Sequence, residues 1–233
     1  MRIAIAGGHG QVARRLTRRL AGRGDSVLAL VRNPDHVPDV ESDGAGAAVV
    51  DLERATTDAV AAAIAGCDAV VFAAGAGPGS GAARKDTMDR AGAVLLADAA
   101  TAAGVRRYVL VSSMGVDEPD RAADDVFRAY LRAKAAAEAA VRERDLDWTV
   151  LRPGALTDEP GTGRVLLEPR VAFGQVPRED VAAVVVALLD EAATIGLTLE
   201  LVAGEDLVDA AVQAAGRAEP GDGGAAAVSV PPG

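Results

Sequence analysis

The chain is poor in cysteine, histidine, aromatic side chains and positive charge, and it has no long apolar run. Each shortage removes a class of protein. The single cysteine, Cys67, excludes an internal disulfide and a cysteine-based zinc cage, and two histidines, His9 and His36, leave little for a metal site, so none is expected. Phe, Trp and Tyr make up 3% of the 233 residues, too few for the stacking platforms of single-strand nucleic-acid binders. Lys and Arg number 24 against 34 Asp and Glu, a formal net charge of -10. That field repels phosphate backbones and anionic lipid surfaces. The longest apolar run, residues 181–189, has nine members, against the ~18 or more that a membrane span requires. Residues 1–2 lead straight into an apolar strand-like run, with no pattern of a secretory leader. The expectation is a cytoplasmic protein with a small-molecule substrate, no nucleic-acid or membrane partner, and homo-oligomerisation left open.

Half of the residues are apolar and a quarter are charged, ordinary globular proportions, and the length suits one sizeable domain. Short, nearly continuous apolar runs occur at 2–6, 27–31, 47–50, 69–74, 108–111 and 148–151. Between them lie segments of helical spacing, such as Val12, Leu16 and Leu20, and Ala-rich stretches at 91–103 and 122–144. Strands buried on both faces and alternating with helices predict an α/β fold, a Rossmann-type doubly wound parallel sheet in a single domain. Past residue 151 the pattern loosens. Turn-rich stretches at 152–154 and 160–163 precede a helical segment at 179–191 and a strand-like one at 197–202. The domain is therefore placed at 1–213, with 153–213 covering the ligand crevice. Residues 214–233, rich in Glu, Pro, Gly, Asp and Ala, read as a flexible tail.

Between the first strand and the first helix runs Gly7-Gly8-His9-Gly10-Gln11-Val12-Ala13, in which Gly8, Gly10 and Ala13 fit G-x-G-x-x-G/A. Early glycines permit the tight turn, Gly10 lets backbone approach a pyrophosphate, and Ala13 lets the helix pack on the strand. Unpaired N–H groups at the helix start then face the phosphates. Gly7, His9, Gly10, Gln11 and Val12 are thus candidate cofactor contacts. At the end of the second strand, where an acidic residue would accept from the ribose hydroxyl of NAD, stands Arg32. Its planar guanidinium suits a 2′-phosphate, which points to NADP, with NAD possible. Asp51-Leu52 and Ala73-Ala74-Gly75 follow the third and fourth strands and border the crevice. Asp51 could accept from the adenine amino group or cap a turn.

Tyr130 and Lys134 stand four residues apart in a helical stretch, so phenol and ammonium share a face. With two tyrosines and two lysines in 233 residues, composition gives about 0.02 such pairs by chance. The pair suits carbonyl reduction. A phenol needs a nearby cation to act readily as a proton donor, and Lys134 could supply that field and also donate to a ribose hydroxyl. Ser112 and Ser113, at the end of the strand before this helix, could offer a hydroxyl to the developing oxyanion or cap nearby backbone.

Together Gly7-x-x-Gly10-x-x-Ala13, Leu30-Val31-Arg32, Val111-Ser112-Ser113, Tyr130-x-x-x-Lys134 and Arg152-Pro153-Gly154 resemble an atypical short-chain dehydrogenase/reductase. The likeness is narrower still to the NAD(P)-binding group that includes NmrA-like and biliverdin/flavin reductase-like proteins, and it covers residues 1 to about 213. The resemblance implies that Pro153 and Gly154 lie beside the nicotinamide and that Gln11 and Val12 contact the pyrophosphate. It implies an NAD(P)H-dependent oxidoreductase reducing a small carbonyl, quinone or flavin-like acceptor. The alternatives are a non-catalytic NADP(H) sensor and an epimerase-like enzyme holding NAD. The sequence departs from ordinary members in lacking an asparagine in the helix before Ser112. Asp86 and Asp89 occupy that neighbourhood, and Asp89 could stand in the asparagine's place or be only a polar face residue.

Overall fold

A computed structural model describes residues 1–217 apart from Pro78 and Ala123. Strand β1 (Arg2–Ala6) passes through the glycine turn into α1 (Gln11–Gly22), whose Ala13, Leu16, Thr17 and Leu20 are buried at the spacing of one helical face. Then follow β2 (Ser26–Val31), α2 (Val37–Ser42), β3 (Ala45–Val49), α3 (Thr57–Ile64) and β4 (Ala69–Phe72). Helix α4 (Ala82–Arg84) runs through a π-helical stretch, Lys85–Gly92, into α5 (Ala93–Ala102). Next come β5 (Arg107–Val111) and α6 (Asp125–Arg142), which starts where the Asp124 carboxylate accepts from the Phe127 N–H at 2.7 Å. The chain continues through β6 (Asp147–Pro153), β7 (Ala155–Thr157), β8 (Arg164–Glu168), β9 (Gln175–Pro177), α7 (Arg178–Asp190), β10 (Thr198–Ala203), β11 (Asp206–Leu207) and α8 (Val208–Arg217).

The main sheet has the order β11-β8-β10-β6-β5-β4-β1-β2-β3. Its first six strands in chain order produce the doubly wound arrangement, and the pairing is parallel from β3 across to β10. The order reverses between β1 and β4, which opens a crevice at their carboxyl ends. Alternate residues feed two cores. Ile3 and Ile5 face α1, α7 and α8 with Leu16, Val184 and Leu188, whereas Ala4, Ala6 and Phe72 face α3, α5 and α6 with Ile64, Leu96 and Val141.

Two expectations change past residue 153. The segment expected to cover the crevice mostly extends the sheet, because β8 pairs antiparallel with β10 and with β11. Only β7, paired with β9 in a small second sheet, turns toward the crevice. The turn at 161–163 is held by the buried Asp180 carboxylate, which accepts from the backbone N–H groups of Thr162 and Gly163 at 2.9 Å. Residues 214–217, assigned to a flexible tail, instead complete α8, since Ala211, Val212 and Ala215 are buried in the core that also contains α7. The remainder of that tail, 218–233, lies outside the described residues. No described helix is long and apolar enough to cross a membrane.

Candidate active site

Gly7 is placed by contact with the neighbouring strand end. Its φ of +77°, together with the 2.5 Å that would separate an added Cβ from the Cα of Ala74, admits no side chain. Gly10 closes the turn by donating its N–H to the Gly7 carbonyl at 2.7 Å, and it starts α1 with no side-chain cap and no acidic residue in the first turn. An uncapped, acid-free helix start against small strand ends is a cradle that fits a pyrophosphate. Gly8 donates to Leu30 O at 3.0 Å, tying the turn to β2.

Beside this turn a cavity of 320 Å³ opens at the carboxyl ends of β4, β5 and β6, against Val12 of α1. Val12, Ala73, Ala74, Gly75, Ser112, Ser113, Tyr130, Lys134, Pro153 and Gly154 all line it, bringing together residues from five separate stretches of sequence. Gly154 is required there, because a Cβ would overlap the carbonyl oxygen of Gly174 on the adjoining segment. A larger cavity of 790 Å³ lies between α1, α7 and α8, lined by helix flanks and none of the expected residues. It touches no carboxyl end of the parallel strands, so it is not the site this fold builds.

Tyr130 is the tyrosine available for chemistry. Tyr108 is wholly buried, donates to Ala93 O at 3.0 Å, and has a phenol pushed up by burial. Two ammonium groups flank the Tyr130 ring, Lys85 Nζ at 5.4 Å and Lys134 Nζ at 5.8 Å from its centroid. Lys134 is 3% exposed, and its Nζ donates to Val111 O at 3.1 Å and Ala74 O at 3.5 Å, bridging the ends of β5 and β4. Its charge is balanced by Asp89, whose Oδ1 is 3.4 Å away. Asp89 corrects the reading of a polar face residue: it is fully buried, and its other oxygen accepts from the Ala76 N–H at 3.1 Å. The π-helical stretch displays Lys85 and Asp89 on the same cavity, a local widening of the kind that functional sites use.

The two serines separate. Among the described residues the Ser113 hydroxyl makes a single, local bond, to Met114 O at 3.1 Å. Ser112 donates to Glu138 Oε1 at 2.5 Å, so its hydroxyl proton is committed away from any oxyanion. This corrects its reading as a catalytic hydroxyl and makes Ser112 part of an ion cluster. In that cluster Arg152 donates to Glu138 at 3.0 and 2.7 Å and to Asp117 at 2.8 and 3.0 Å, with Glu200 at 4.0 Å. Burial disfavours the charged Arg152, yet the hydrogen bonds to Glu138 and Asp117 outweigh it and raise its pKa. The Arg152 hydrogen bonds in turn hold the Asp117 carboxyl below the usual range.

The expected adenosine residues are more engaged than the sequence implied. Arg32 is exposed but donates to Glu53 at 3.1 Å. Asp51 takes the capping alternative, since its Oδ1 accepts from the Glu53 N–H at 3.1 Å, and Leu52 is buried in the core. His9 stacks on His36 at 3.6 Å and pairs through Nε2 with Asp39 at 2.8 Å. Gln11 is exposed at the first position of α1.

Sequence reasoning missed Lys85, Glu53, Asp117 and Glu138. For Glu138 a signal existed, since Tyr130, Lys134 and Glu138 continue one four-residue spacing along α6. Glu53 carried none, because its partners come from elements far apart in sequence.

Sheet order, glycine turn and cavity define a Rossmann fold with a candidate dinucleotide-binding site. A family model described as NAD(P)H-binding matches residues 7–192, and the chain belongs to that family. It is 33% identical over 206 residues to a protein of Bacillus subtilis (strain 168) named as an uncharacterized sugar epimerase, covering 88% of this chain and 95% of the relative. Among solved structures it is similar to a candidate NAD-dependent epimerase/dehydratase from Bacillus halodurans, with 36% identity, TM-score 0.86, and 92% and 99% of the two chains covered. The oxidoreductase ylbE from Lactococcus lactis matches with 28% identity, TM-score 0.81, and coverage of 92% and 96%.

Proposed function

We propose that the protein is an NADPH-preferring oxidoreductase that reduces a small carbonyl, quinone or flavin-like acceptor. The observation that carries this reading is the convergence of Tyr130, Lys134 and Ser113 with Pro153 and Gly154 on one cavity next to the glycine turn. A reduced nicotinamide supplies hydride. The chain's own residues handle charge and proton. Tyr130 donates its phenolic proton to the acceptor oxygen as charge grows there, and the ammonium groups of Lys85 and Lys134 favour the phenolate left behind. Ser113, turning its hydroxyl away from the local bond to Met114 O, donates to the same oxygen, and Gly154 beside Pro153 lines the wall with no side chain to obstruct a flat ring.

Titrating the full chain with NADPH and NADH by calorimetry, then following reduced-nicotinamide absorbance with quinones, flavins, aldehydes and ketones, tests the proposal. Binding followed by acceptor-dependent oxidation supports it, and binding with no oxidation by any acceptor refutes it in favour of a dinucleotide sensor. A second reading, an epimerase-like enzyme that returns its hydride, draws on the names of the Bacillus relatives. Coenzyme retained through gel filtration would favour it.

Cofactor preference gives a separate prediction. Arg32→Asp is expected to weaken NADPH by at least about tenfold relative to NADH, because a charge-assisted contact to phosphate is replaced by repulsion. Equal ratios of the two dissociation constants in variant and parent would remove Arg32 from the 2′-phosphate site.

A further inference from the structure

Glu53 follows β3 by a short turn and is the meeting point of three otherwise separate elements. Its carboxylate accepts from Arg32 Nη1 at 3.1 Å, from Arg84 Nε and Nη2 at 3.3 Å each, and from the Thr87 hydroxyl at 2.6 Å. Arg32 directly follows β2, Arg84 closes α4, and Thr87 stands in the π-helical stretch. Arg84 is fixed further by donating Nη1 to Ala76 O at 3.3 Å, beside the cavity. The Thr87 hydroxyl, with Arg84 and Arg32, holds the Glu53 carboxyl below the usual carboxylate range, so it is ionised throughout the physiological interval.

Two guanidinium groups on one carboxylate oxygen, Arg84 through two nitrogens and Arg32 through one, and a hydroxyl on the other form a donor set that also suits a phosphate monoester. Here that set is filled by a side chain. A 2′-phosphate arriving at Arg32 must take these donors from Glu53 or settle beside it as a second anion, whereas a ribose 2′-hydroxyl brings no charge and can donate to the carboxylate. We infer that Glu53 is a specificity-determining residue that competes with the 2′-phosphate for Arg32 and Arg84 and so opposes the NADPH preference that Arg32 confers. The inference rests on the proposed reading that the adenosine end of the coenzyme lies at Arg32.

The test is calorimetric titration of the full chain with NADPH and with NADH, for the parent and for Glu53→Gln, Glu53→Ala and Arg84→Gln, with folding checked by circular dichroism. Both Glu53 variants are expected to bind NADPH about tenfold more tightly, ~1.4 kcal/mol, with NADH changed by less than about threefold. Arg84→Gln is expected to move the ratio the other way, by weakening NADPH selectively. A parent that binds either coenzyme while the ratio stays within about twofold in the Glu53 variants overturns the inference and leaves the proposed function standing. Should the Glu53 variants not fold, an unchanged ratio in Arg84→Gln overturns it independently. A parent that binds neither coenzyme overturns both.

Discussion

Tyr130→Phe is expected to lower turnover by about 10²–10⁴ while leaving NADPH affinity within about twofold. The substitution keeps the ring that stacks on Phe127 at 5.7 Å and that two ammonium groups flank, so packing and the coenzyme cradle are preserved. Only the hydroxyl, and with it the dissociable proton, is lost. Tyr108 cannot replace it, because that phenol is sealed in the core. Steady-state kinetics beside a binding titration separate the two quantities, and a variant that turns over as fast as the parent would exclude Tyr130 as proton donor. A loss appearing in the coenzyme dissociation constant instead would make Tyr130 a binding residue.

Arg152→Ala is expected to destabilise the fold by about 2–4 kcal/mol, towards the lower side of the range for removing one partner of a buried ion pair because Glu138 keeps Arg142. Arg152 and Glu138 have side chains 8% and 1% exposed, and the variant leaves the Glu138 carboxylate with the Ser112 hydroxyl and one remaining cation, the half-buried Arg142 at 2.8 Å. The arginine also ties β6 to α6 and to the segment carrying Asp117, directly before Pro153 and Gly154. Adding Glu138→Gln should recover part of the loss, because the buried carboxylate, left with Arg142 alone as its cation, loses its charge. Urea unfolding of the parent, the single variant and the double variant gives the three values, and a single variant within about 1 kcal/mol of the parent would refute the cluster's importance. The sign of the pH dependence follows from Asp117. Its pKa is lowered in the folded state, so its contribution is present above an unfolded value of ~3.9 and is lost as pH falls through the lower folded value. In Arg152→Ala that part of the acid sensitivity should shrink.

Much of the fold was legible in the chain. Apolar runs at 2–6, 27–31 and 69–74 became β1, β2 and β4 because strands covered on both faces need no polar alternation. The glycine turn was legible because Gly7 must adopt a positive φ against Ala74, a demand that only one residue type meets. Likewise the Tyr130–Lys134 pair was legible because helical spacing is local geometry.

What local pattern could not decide was which charges meet. Asp89 sits in a stretch where sequence shows only an acid among apolar and basic neighbours, and its burial beside Lys134 follows from how the π-helical segment lies on α6. The hydroxyl of Ser112 was equally free on paper to face an acceptor or the interior, and the approach of Glu138 and Arg152 chose the interior. Arg32 and Glu53 are 21 positions apart, and the parallel pairing of β2 with β3 brings their ends together. Periodicity and glycine conformation act within a few residues and so can be read along the chain. Electrostatic partnership acts through space, and only the folded arrangement of sheet and helices selects it.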